Sequence, residues 1–408
     1  MPALDAYSPT DMRFLADPYP QYAELRRGPA AIYIEQDDLW VVSRYDHVGD
    51  ALKDPSAFSS KAEWALFGGF LSARPGTRPD VHAIAASQPR TLVASDPPEH
   101  IILRRLPAQM FTAKAVNVYA PLVQSIAEEL VDEMLAKREG DEVDLVWEFN
   151  FPLPIRVIAA ILGIAPERWH DFKRWSDILI KRHSGEGGSD DEKADLKAMM
   201  TFFDEIIQER KRHPGEDLIS MMISGNEAEE AQLTDWDLRN FCGLLLSAGN
   251  ETTTNLLGNL SHAFFHHPDE LRKVRASGDI PRAVEEILRH DPSVQAVPRV
   301  TLREVRVGDT TLPEGAFVLL MTAAANRDES RWQNPERFDV EREEHRHFGF
   351  GGGIHHCLGA ALARLEMRCG MEALLARTSS VEPTSPPERW GNIVLRGFTA
   401  MPVAIRAV

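Results

Sequence analysis

Apolar residues recur at helical spacing along most of the chain. This pattern predicts helices over 17–27, 96–111, 118–138, 151–164 and 167–183. A longer helix is predicted to begin after Thr234, since Thr234 and Asp237 have the spacing of a capping box, and to run to about His266. Helices therefore dominate the prediction.

Shorter alternating patterns predict a minor β part. A hairpin is predicted over 30–45, and further strands over 300–320 and near the carboxyl end. Residues 60–95 have no sustained period and are predicted to form a long loop, and 184–192 a polar hinge. Since no linker, repeat or low-complexity run divides the chain, residues 1–408 are predicted to form one mainly α domain.

Composition and charge exclude several classes of protein. The 408 residues are 43% hydrophobic and 26% charged, as in an ordinary globular protein. The net charge of -17 and the lack of basic clusters argue against nucleic acid as a partner. The first residues lack the features of a signal peptide, and no span is apolar enough for a membrane helix, so we expect a cytoplasmic protein.

One of the three cysteines lies in an unusual segment, "HFGFGGGIHHCLGAALARLE" (347–366). The glycines allow positive φ angles before Cys357, and strong helix formers follow it. A thiolate in the first turn of a helix is stabilised by free N–H groups and the helix dipole. The pattern therefore predicts a nucleophile or a metal ligand at Cys357.

Three other interpretations of this segment are weaker. A zinc site would draw on His345, His347, His355, His356 and Cys357, but their spacing fits no standard ligand pattern. A dinucleotide-binding loop would need a small residue where Ile354 stands. A buried structural cysteine would leave the glycines and histidines unexplained.

The run Phe350-Gly351-x-Gly353-x-His355-x-Cys357-x-Gly359 resembles the heme-binding signature of the cytochrome P450 monooxygenases. The resemblance continues into a proximal helix, so that loop and helix cover 347–377, and extends over most of the chain. It implies the triangular, single-domain P450 fold, mainly α with a minor β region. It also implies heme b, with Cys357 as the axial iron ligand and Phe350 and Gly351 beside it.

The segment 244–260 breaks its apolar helix with Gly249, Asn250 and Glu251 and with three threonines. Threonines that bond back to the preceding turn would explain one of these residues, but not a carboxylate beside them. The segment resembles the oxygen-activation motif of the same family. The resemblance implies that Glu251 and Thr252 relay protons during the activation of dioxygen.

Two further residue sets match the family by position. Glu286 and Arg289 form an E-x-x-R pair and, with Arg337 in "NPERFD", resemble the buried ion network of the family, which has a structural role. The heme propionates need cationic or hydrogen-bonding partners. The resemblance assigns them His100, Arg104, Arg299 and His355.

The implied activity is insertion of one oxygen atom from O2 into an organic substrate, hydroxylation first among the possibilities. Electrons from NAD(P)H would come through a ferredoxin and a ferredoxin reductase, and we expect a monomer. A docking face for the ferredoxin is predicted around Arg105, Lys114, Arg346 and Arg364. A peroxide-driven heme-thiolate hydroxylase, which usually lacks the acid–threonine pair, and a non-enzymatic heme sensor or carrier are the alternatives.

Motif position also predicts the residues that contact the substrate. They are Trp64, Phe67, Phe70, Trp175, Ile178, Leu179, Leu244, Leu245, Ala248, Val294, Gln295 and Val394. Nearly all are apolar, so the predicted substrate is a small to medium hydrophobic compound, terpenoid- or steroid-like before a charged one. The 60–95 loop and the 184–192 hinge would close over it as a lid.

Overall fold

The computed structural model describes residues 8–9, 11, 16–63, 90–137, 142–183, 189–229, 232–344, 346–389 and 394–408. They group into two compact units. The first unit comprises Met1–Pro97, Glu285–Cys357 and Arg389–Gly397. The second comprises Pro98–Val284, Leu358–Glu388 and Phe398–Val408.

The first unit is built on a five-stranded sheet. Its strands, in spatial order, are Ala31–Ile34, Leu39–Val42, Phe317–Leu320, Val297–Thr301 and Phe58–Ser59. All neighbours are antiparallel except Leu39–Val42 and Phe317–Leu320, which are parallel. The strand Phe317–Leu320 is buried along its whole length, which explains its unbroken apolar sequence.

Short elements surround this sheet. A separate hairpin pairs Val305–Val307 with Thr310–Leu312. The helices and 3-10 turns of this unit are Tyr19–Arg27, Glu35–Asp37, Tyr45–Lys53, Ser60–Ala62, Thr322–Ala325 and Gly353–His355. Apolar side chains cover both faces of the sheet and form two core clusters, one of which includes Leu25 and Leu319 and the other Leu52 and Leu320.

The second unit is mainly helical. Its α-helices are Glu99–Met110, Ala113–Val116, Ala120–Leu135, Pro152–Ile161, Trp169–His183, Asp190–Arg212, Leu218–Glu229, Asp235–His266, Pro268–Ser277 and Ala360–Arg377. The helix Ile280–His290 begins in this unit and ends in the first. Asn117–Tyr119 and Pro166–Arg168 are 3-10 turns, and Val146–Asn150 is a π-helix.

The long helix Asp235–His266 runs through the core of the second unit. Thr234 caps it with Asp237 in the predicted capping box. From Asn255 to Ser261 every residue is buried, so this part of the helix is covered on all sides. At Gly249 an added Cβ would lie 2.8 Å from Cδ1 of Ile158, and glycine therefore permits the close approach of the helix Pro152–Ile161.

Strands complete the second unit. Pro402–Ala407 lies between Val143–Asp144 and Thr378–Pro383, antiparallel to both. Glu388–Arg389 pairs with Phe398–Ala400. The predicted β character of the carboxyl end is confirmed for its described residues.

Most predicted elements are confirmed. The helices predicted from periodicity and the hairpin over 30–45 are present, with ends shifted by a few residues. The predicted hinge is too long at its carboxyl end, because Ser189 already caps the helix Asp190–Arg212 in a capping box with Glu192. Most of the predicted 60–95 loop, from 64 to 89, lies outside the described residues, and so does 184–188.

Candidate functional site

The loop before Cys357 depends on glycine at three positions. Gly351 and Gly353 have φ angles of +66° and +63°, in the region that only glycine adopts readily. At Gly353 an added Cβ would lie 2.0 Å from the carbonyl oxygen of Leu52. Glycine is required at position 349 for a different reason, since an added Cβ there would lie 2.5 Å from the carbonyl oxygen of Leu288. The loop is therefore shaped by the backbone that it packs against.

Cys357 closes this loop. Its backbone N–H donates to the carbonyl oxygen of Phe350 at 2.9 Å, and its side chain is partly exposed. The following helix begins only at Ala360, with Gly359 as its cap residue. The prediction that Cys357 occupies the first helical turn is therefore wrong by three residues.

The other two cysteines are chemically unlike Cys357. Burial raises the pKa of the Cys242 thiol to about 12 and that of Cys369 to about 11, so both thiols stay protonated at neutral pH. Among the described residues, which do not include His345, no three His, Cys, Asp or Glu side chains come together as metal ligands. The partly exposed thiol of Cys357 in its glycine-shaped loop fits the iron of a heme.

Arg299 supplies a buried cation in the first unit. Its side chain is 5% exposed, and its guanidinium Nη1 lies 3.6 Å from Oε1 of Glu63. Burial lowers the pKa of Arg299, whereas the pKa of Glu63 is raised by burial to about 7. A desolvated guanidinium with so loose a carboxylate contact fits a propionate partner.

The other predicted propionate partners are placed as follows. His355 is partly buried at the end of the turn Gly353–His355 in the first unit. In the second unit, His100 and Arg104 lie one helical turn apart on the helix Glu99–Met110. His100 is buried, with 2% of its surface exposed, and Arg104 is partly exposed. All four positions suit a carboxylate ligand by chemistry, and their roles stay predictions.

The predicted ion network is present, but its second arginine is a different residue. Nε and Nη2 of Arg289 each donate to one oxygen of Glu286 at 2.8 Å. Nε of Arg342 donates to Oε2 of Glu286 at 3.1 Å. Arg337, predicted in that place, points its side chain outward, 58% exposed, and contributes its carbonyl oxygen to Arg289 and Arg342.

Glu251 and Thr252 lie midway along the long helix in the second unit. Glu251 is buried, and the Thr252 hydroxyl is partly exposed and donates to the carbonyl oxygen of Ala248 at 2.7 Å. The neighbouring threonines are engaged elsewhere. Thr254 bonds to the carbonyl oxygen of Asn150, and Thr253 bonds to the Glu366 side chain. Of the three threonines, Thr252 is thus the least buried.

Residues predicted to contact the substrate differ in exposure within the second unit. Leu244 and Leu245 are partly exposed and Ala248 is exposed, although they belong to a largely buried helix. Trp175 is 1% exposed and packs against Phe172, Phe202 and Phe203. The prediction for Trp175 is corrected accordingly, because its ring is core packing. Ile178 is also buried, at 5% exposure.

The first unit holds the remaining predicted contacts. Val294 and Val394 are partly exposed. Gln295 is buried, with its amide donating to Pro292 and its oxygen accepting from Tyr22, so its side chain is structural. Trp64, Phe67 and Phe70, and the side chain of Leu179, lie outside the described residues.

Sequence reasoning missed Glu366. It lies on the helix Ala360–Arg377 in the second unit, is 1% exposed, and has an oxygen, Oε1, with no hydrogen-bond partner among the described residues. Burial raises the pKa of Glu366 to about 8, and the bond from Thr253 opposes that rise only partly. A lone glutamate in a helix of good helix formers gives no signal of this in the sequence.

Glu366 makes the stability of the protein depend on pH. Because its pKa in the folded protein lies above the ordinary 4.5, folding takes up a proton, and the free energy of unfolding falls as pH rises from about 4.5 to about 8. Glu366→Gln keeps the hydrogen-bonding shape and removes this titration. We expect the difference in Tm between the variant and the wild type to be more favourable to the variant at pH 8.5 than at pH 6, by about 2 °C or more. Equal pH dependence in the two proteins, measured by thermal unfolding, would contradict a neutral Glu366.

The chain is similar to known proteins over nearly its whole length. The family model described as cytochrome P450 matches residues 280–395. Cytochrome P450 107B1 of Saccharopolyspora erythraea is 34% identical over 405 residues, which cover 96% of each chain. The chain belongs to the cytochrome P450 family. Cytochrome P450 CYP109Q5 from Chondromyces apiculatus matches with a TM-score of 0.85 and 35% identity, covering 98% of both chains.

The family sets the activity class. This P450 is an oxidoreductase, a heme-containing monooxygenase supplied with reducing equivalents from NAD(P)H through redox partners. The mainly α fold with a minor β region is confirmed. Another similar structure, that of CYP109E1 from Bacillus megaterium in complex with testosterone, has a TM-score of 0.82 and 31% identity, and the match covers 95% of this chain and 99% of that one. In the described ranges, no helix combines the length and the apolarity needed to cross a bilayer.

Proposed function

We propose that this P450 inserts one oxygen atom from O2 into a neutral, small to medium apolar substrate, most simply as a hydroxylation. The observation that carries the substrate class is the partial exposure of Leu244 and Leu245 and the exposure of Ala248, on the turns before Glu251 and Thr252. An apolar surface left uncovered on a largely buried helix favours an apolar ligand. The testosterone complex of the related CYP109E1 is consistent with a steroid-like compound.

Cys357 is proposed to bind the heme iron through its thiolate. A heme with a thiolate ligand supplies oxygen activation and insertion when it is bound. The protein supplies partners for the propionate carboxylates of the heme. Arg299 is the buried cation, and the further hydrogen-bonding or charged groups are His100, Arg104 and His355. Phe350 and Gly351 belong to the same loop as Cys357 and fix its course, since the Phe350 carbonyl accepts from the Cys357 N–H.

Glu251 and Thr252 are proposed to deliver protons during turnover. The Thr252 hydroxyl donates to Ala248 at 2.7 Å, and the same oxygen can accept a further hydrogen bond. Glu251 is buried next to it in the chain, so that an acid and an alcohol are held on consecutive positions of a rigid helix. Such a pair can pass a proton from an acid to a hydroxyl and onward.

Removing the Thr252 hydroxyl tests this role. Thr252→Ala should keep heme and substrate binding but divert electrons to hydrogen peroxide, lowering product per NAD(P)H consumed by about tenfold or more. The measurement is the ratio of product, peroxide and consumed NAD(P)H.

The control for Thr252→Ala comes from the same helix. Ser247→Ala also removes a hydroxyl that bonds back to a carbonyl four residues earlier, that of Gly243 at 3.2 Å. Thr253 and Thr254 are poor controls because both make buried hydrogen bonds. Unchanged coupling in Thr252→Ala, or an equal loss in Ser247→Ala, would contradict the proposed relay.

The electron donor is proposed to be a ferredoxin served by a ferredoxin reductase, docking where Arg105, Lys114, Arg346 and Arg364 were predicted to act. Turnover of a steroid or terpenoid panel with NAD(P)H, a generic ferredoxin and its reductase tests the whole proposal. Product formed only with NAD(P)H and both proteins supports it. Product formed from hydrogen peroxide alone at a comparable rate would favour the peroxide-driven alternative, and heme binding with no product under either condition would favour a sensor or carrier.

A further inference from the structure

A buried carboxylate in the first unit ties together several distant parts of the chain. Asp291 follows the helix Ile280–His290 and is 7% exposed. Its Oδ1 accepts from the Tyr19 hydroxyl at 2.6 Å and from Nε of Arg396 at 2.9 Å. Its Oδ2 accepts from Nη2 of Arg389 at 3.4 Å. We call Asp291, Tyr19, Arg389 and Arg396 the Asp291 network.

The network is held ionised by its cations. Burial by itself would raise the pKa of Asp291, but the charges of Arg396 and Arg389, the Tyr19 hydrogen bond and the charge of Arg327 together hold it well below its ordinary value. The Arg327 guanidinium lies 3.3 Å from the centre of the Tyr19 ring. Hydrogen bonds between ionised groups are strong and directional, so they fix geometry.

The main chain of Arg396 is part of a short ladder between two segments. Its N–H donates to the Ser293 carbonyl at 2.8 Å, and the Gln295 N–H donates to the Val394 carbonyl at 2.7 Å. Val294 and Leu395 form the antiparallel bridge between these bonds. The residue whose side chain binds Asp291 therefore lies in the same ladder as Val394, two residues away, and as Val294 across it.

Further hydrogen bonds hold the segment 293–295. The Thr322 hydroxyl lies 3.2 Å from the Val294 carbonyl and 3.1 Å from that of Gln295, and the Tyr22 hydroxyl donates to Oε1 of Gln295 at 3.4 Å. Tyr19 and Tyr22 lie one turn apart on the helix Tyr19–Arg27. The ladder is thus clamped between this helix and the Asp291 carboxylate.

We propose that Asp291, acting through Arg396 and Tyr19, is a positioning residue that sets where Val294 and Val394 meet the substrate. The inference rests on the proposed function, in which these two valines contact the substrate. Both side chains are partly exposed, whereas Asp291, Tyr19 and Arg396 are buried. The network touches no reacting atom, and its effect falls on the shape of the pocket.

The test compares two iron-binding probes that differ by one ring. Imidazole and 4-phenylimidazole both ligate a heme iron through nitrogen. Only 4-phenylimidazole has a phenyl group, which extends away from the iron, so its affinity depends on the shape of the pocket. Tyr19→Phe removes one hydrogen bond to Asp291 and keeps the ring beneath Arg327. We expect it to change the affinity ratio of the two probes by about threefold or more, with imidazole alone changed much less.

The matched control is a surface tyrosine of the same unit. Tyr33 donates to Oδ1 of Asp38 at 2.7 Å and is 46% exposed, so Tyr33→Phe makes the same chemical change far from the network. It should leave the ratio unchanged. Combining Tyr19→Phe with Val394→Ala should give a change in the ratio that is not the sum of the single effects, since Tyr19 acts through Val394.

Arg389→Lys is the second variant, because it keeps the charge and its side chain is 18% exposed. If Tyr19→Phe fails to bind heme, the ratio of the two probe affinities in Arg389→Lys tests the proposal instead. An unchanged ratio in a variant with a normal carbon monoxide spectrum would overturn the inference, as would additive effects with Val394→Ala. Failure of the wild type to give a thiolate-type carbon monoxide spectrum is a separate result, and it would overturn the proposed function instead.

Discussion

Cys357→Ser is expected to abolish the red-shifted Soret band that the reduced P450 gives with carbon monoxide. That band reports a thiolate ligand on the iron, and serine cannot supply one. Oxygen insertion should be lost with it, because the thiolate donates the electron density that oxygen activation needs. The measurement is the carbon monoxide difference spectrum of the purified protein, at matched heme content.

The other two cysteines provide the controls. Cys242 and Cys369 are each 2% exposed, and burial raises the pKa of both thiols. Cys242→Ser and Cys369→Ser should therefore keep the red-shifted band, even if the polar hydroxyl lowers their stability. A band that survives in Cys357→Ser, or that disappears in Cys369→Ser with heme retained, would show that the axial ligand is assigned to the wrong residue.

Glu286→Ala is expected to have the largest effect on stability. It removes the carboxylate that accepts two hydrogen bonds from Arg289, which is 1% exposed. It also removes the carboxylate partner of Arg342. Removing one member of a buried ion pair costs about 3–5 kcal/mol. That is a large part of the roughly 5–15 kcal/mol that keeps a domain folded. Little heme-loaded protein should be recovered, as measured by the carbon monoxide spectrum of the soluble fraction.

The two candidate arginines give a sharper comparison. Nε of Arg342 bonds to Glu286 at 3.1 Å and its side chain is 11% exposed, whereas the Arg337 side chain is 58% exposed. Arg342→Ala should lower the Tm clearly, whereas Arg337→Ala should change the free energy of unfolding by no more than about 0.5 kcal/mol. Equal losses in the two variants would restore Arg337 to the network.

The wrong prediction for Arg337 shows the limit of assigning side-chain roles from position in a motif. The motif "NPERFD" and the E-x-x-R pair correctly located the network along the chain. The choice between Arg337 and Arg342 depends on the turn after Asp339, which brings Nε of Arg342 to the Glu286 carboxylate. Arg337 contributes only its carbonyl oxygen, which accepts from the guanidinium groups of Arg289 and Arg342. Side-chain direction in an irregular segment has no period, so the sequence contains no simple signal for it.

Local patterns were more informative than long-range ones. The capping box at Thr234 and Asp237 was predicted correctly, because its partners are three residues apart. The glycines before Cys357 were predicted to allow positive φ angles, and two of them, Gly351 and Gly353, have such angles. The contacts of Trp175 with Phe202 and Phe203 join two helices, and the bond from Tyr19 to Asp291 joins segments far apart in sequence. Neither contact could be predicted without the fold.

The contact between Gly353 and the Leu52 carbonyl bears on how the enzyme is made. A Cβ at Gly353 would lie 2.0 Å from that oxygen, so the Cys357 loop is moulded against the helix Tyr45–Lys53. The ribosome releases that helix long before it synthesises the loop, and the first unit gathers segments from the beginning, the middle and the end of the chain. Because this contact joins residues far apart in sequence, the entropy of closing the intervening chain must be overcome before the loop can take its shape. We therefore expect the Cys357 loop to take its shape when it meets the folded helix Tyr45–Lys53, and not while its own residues leave the ribosome.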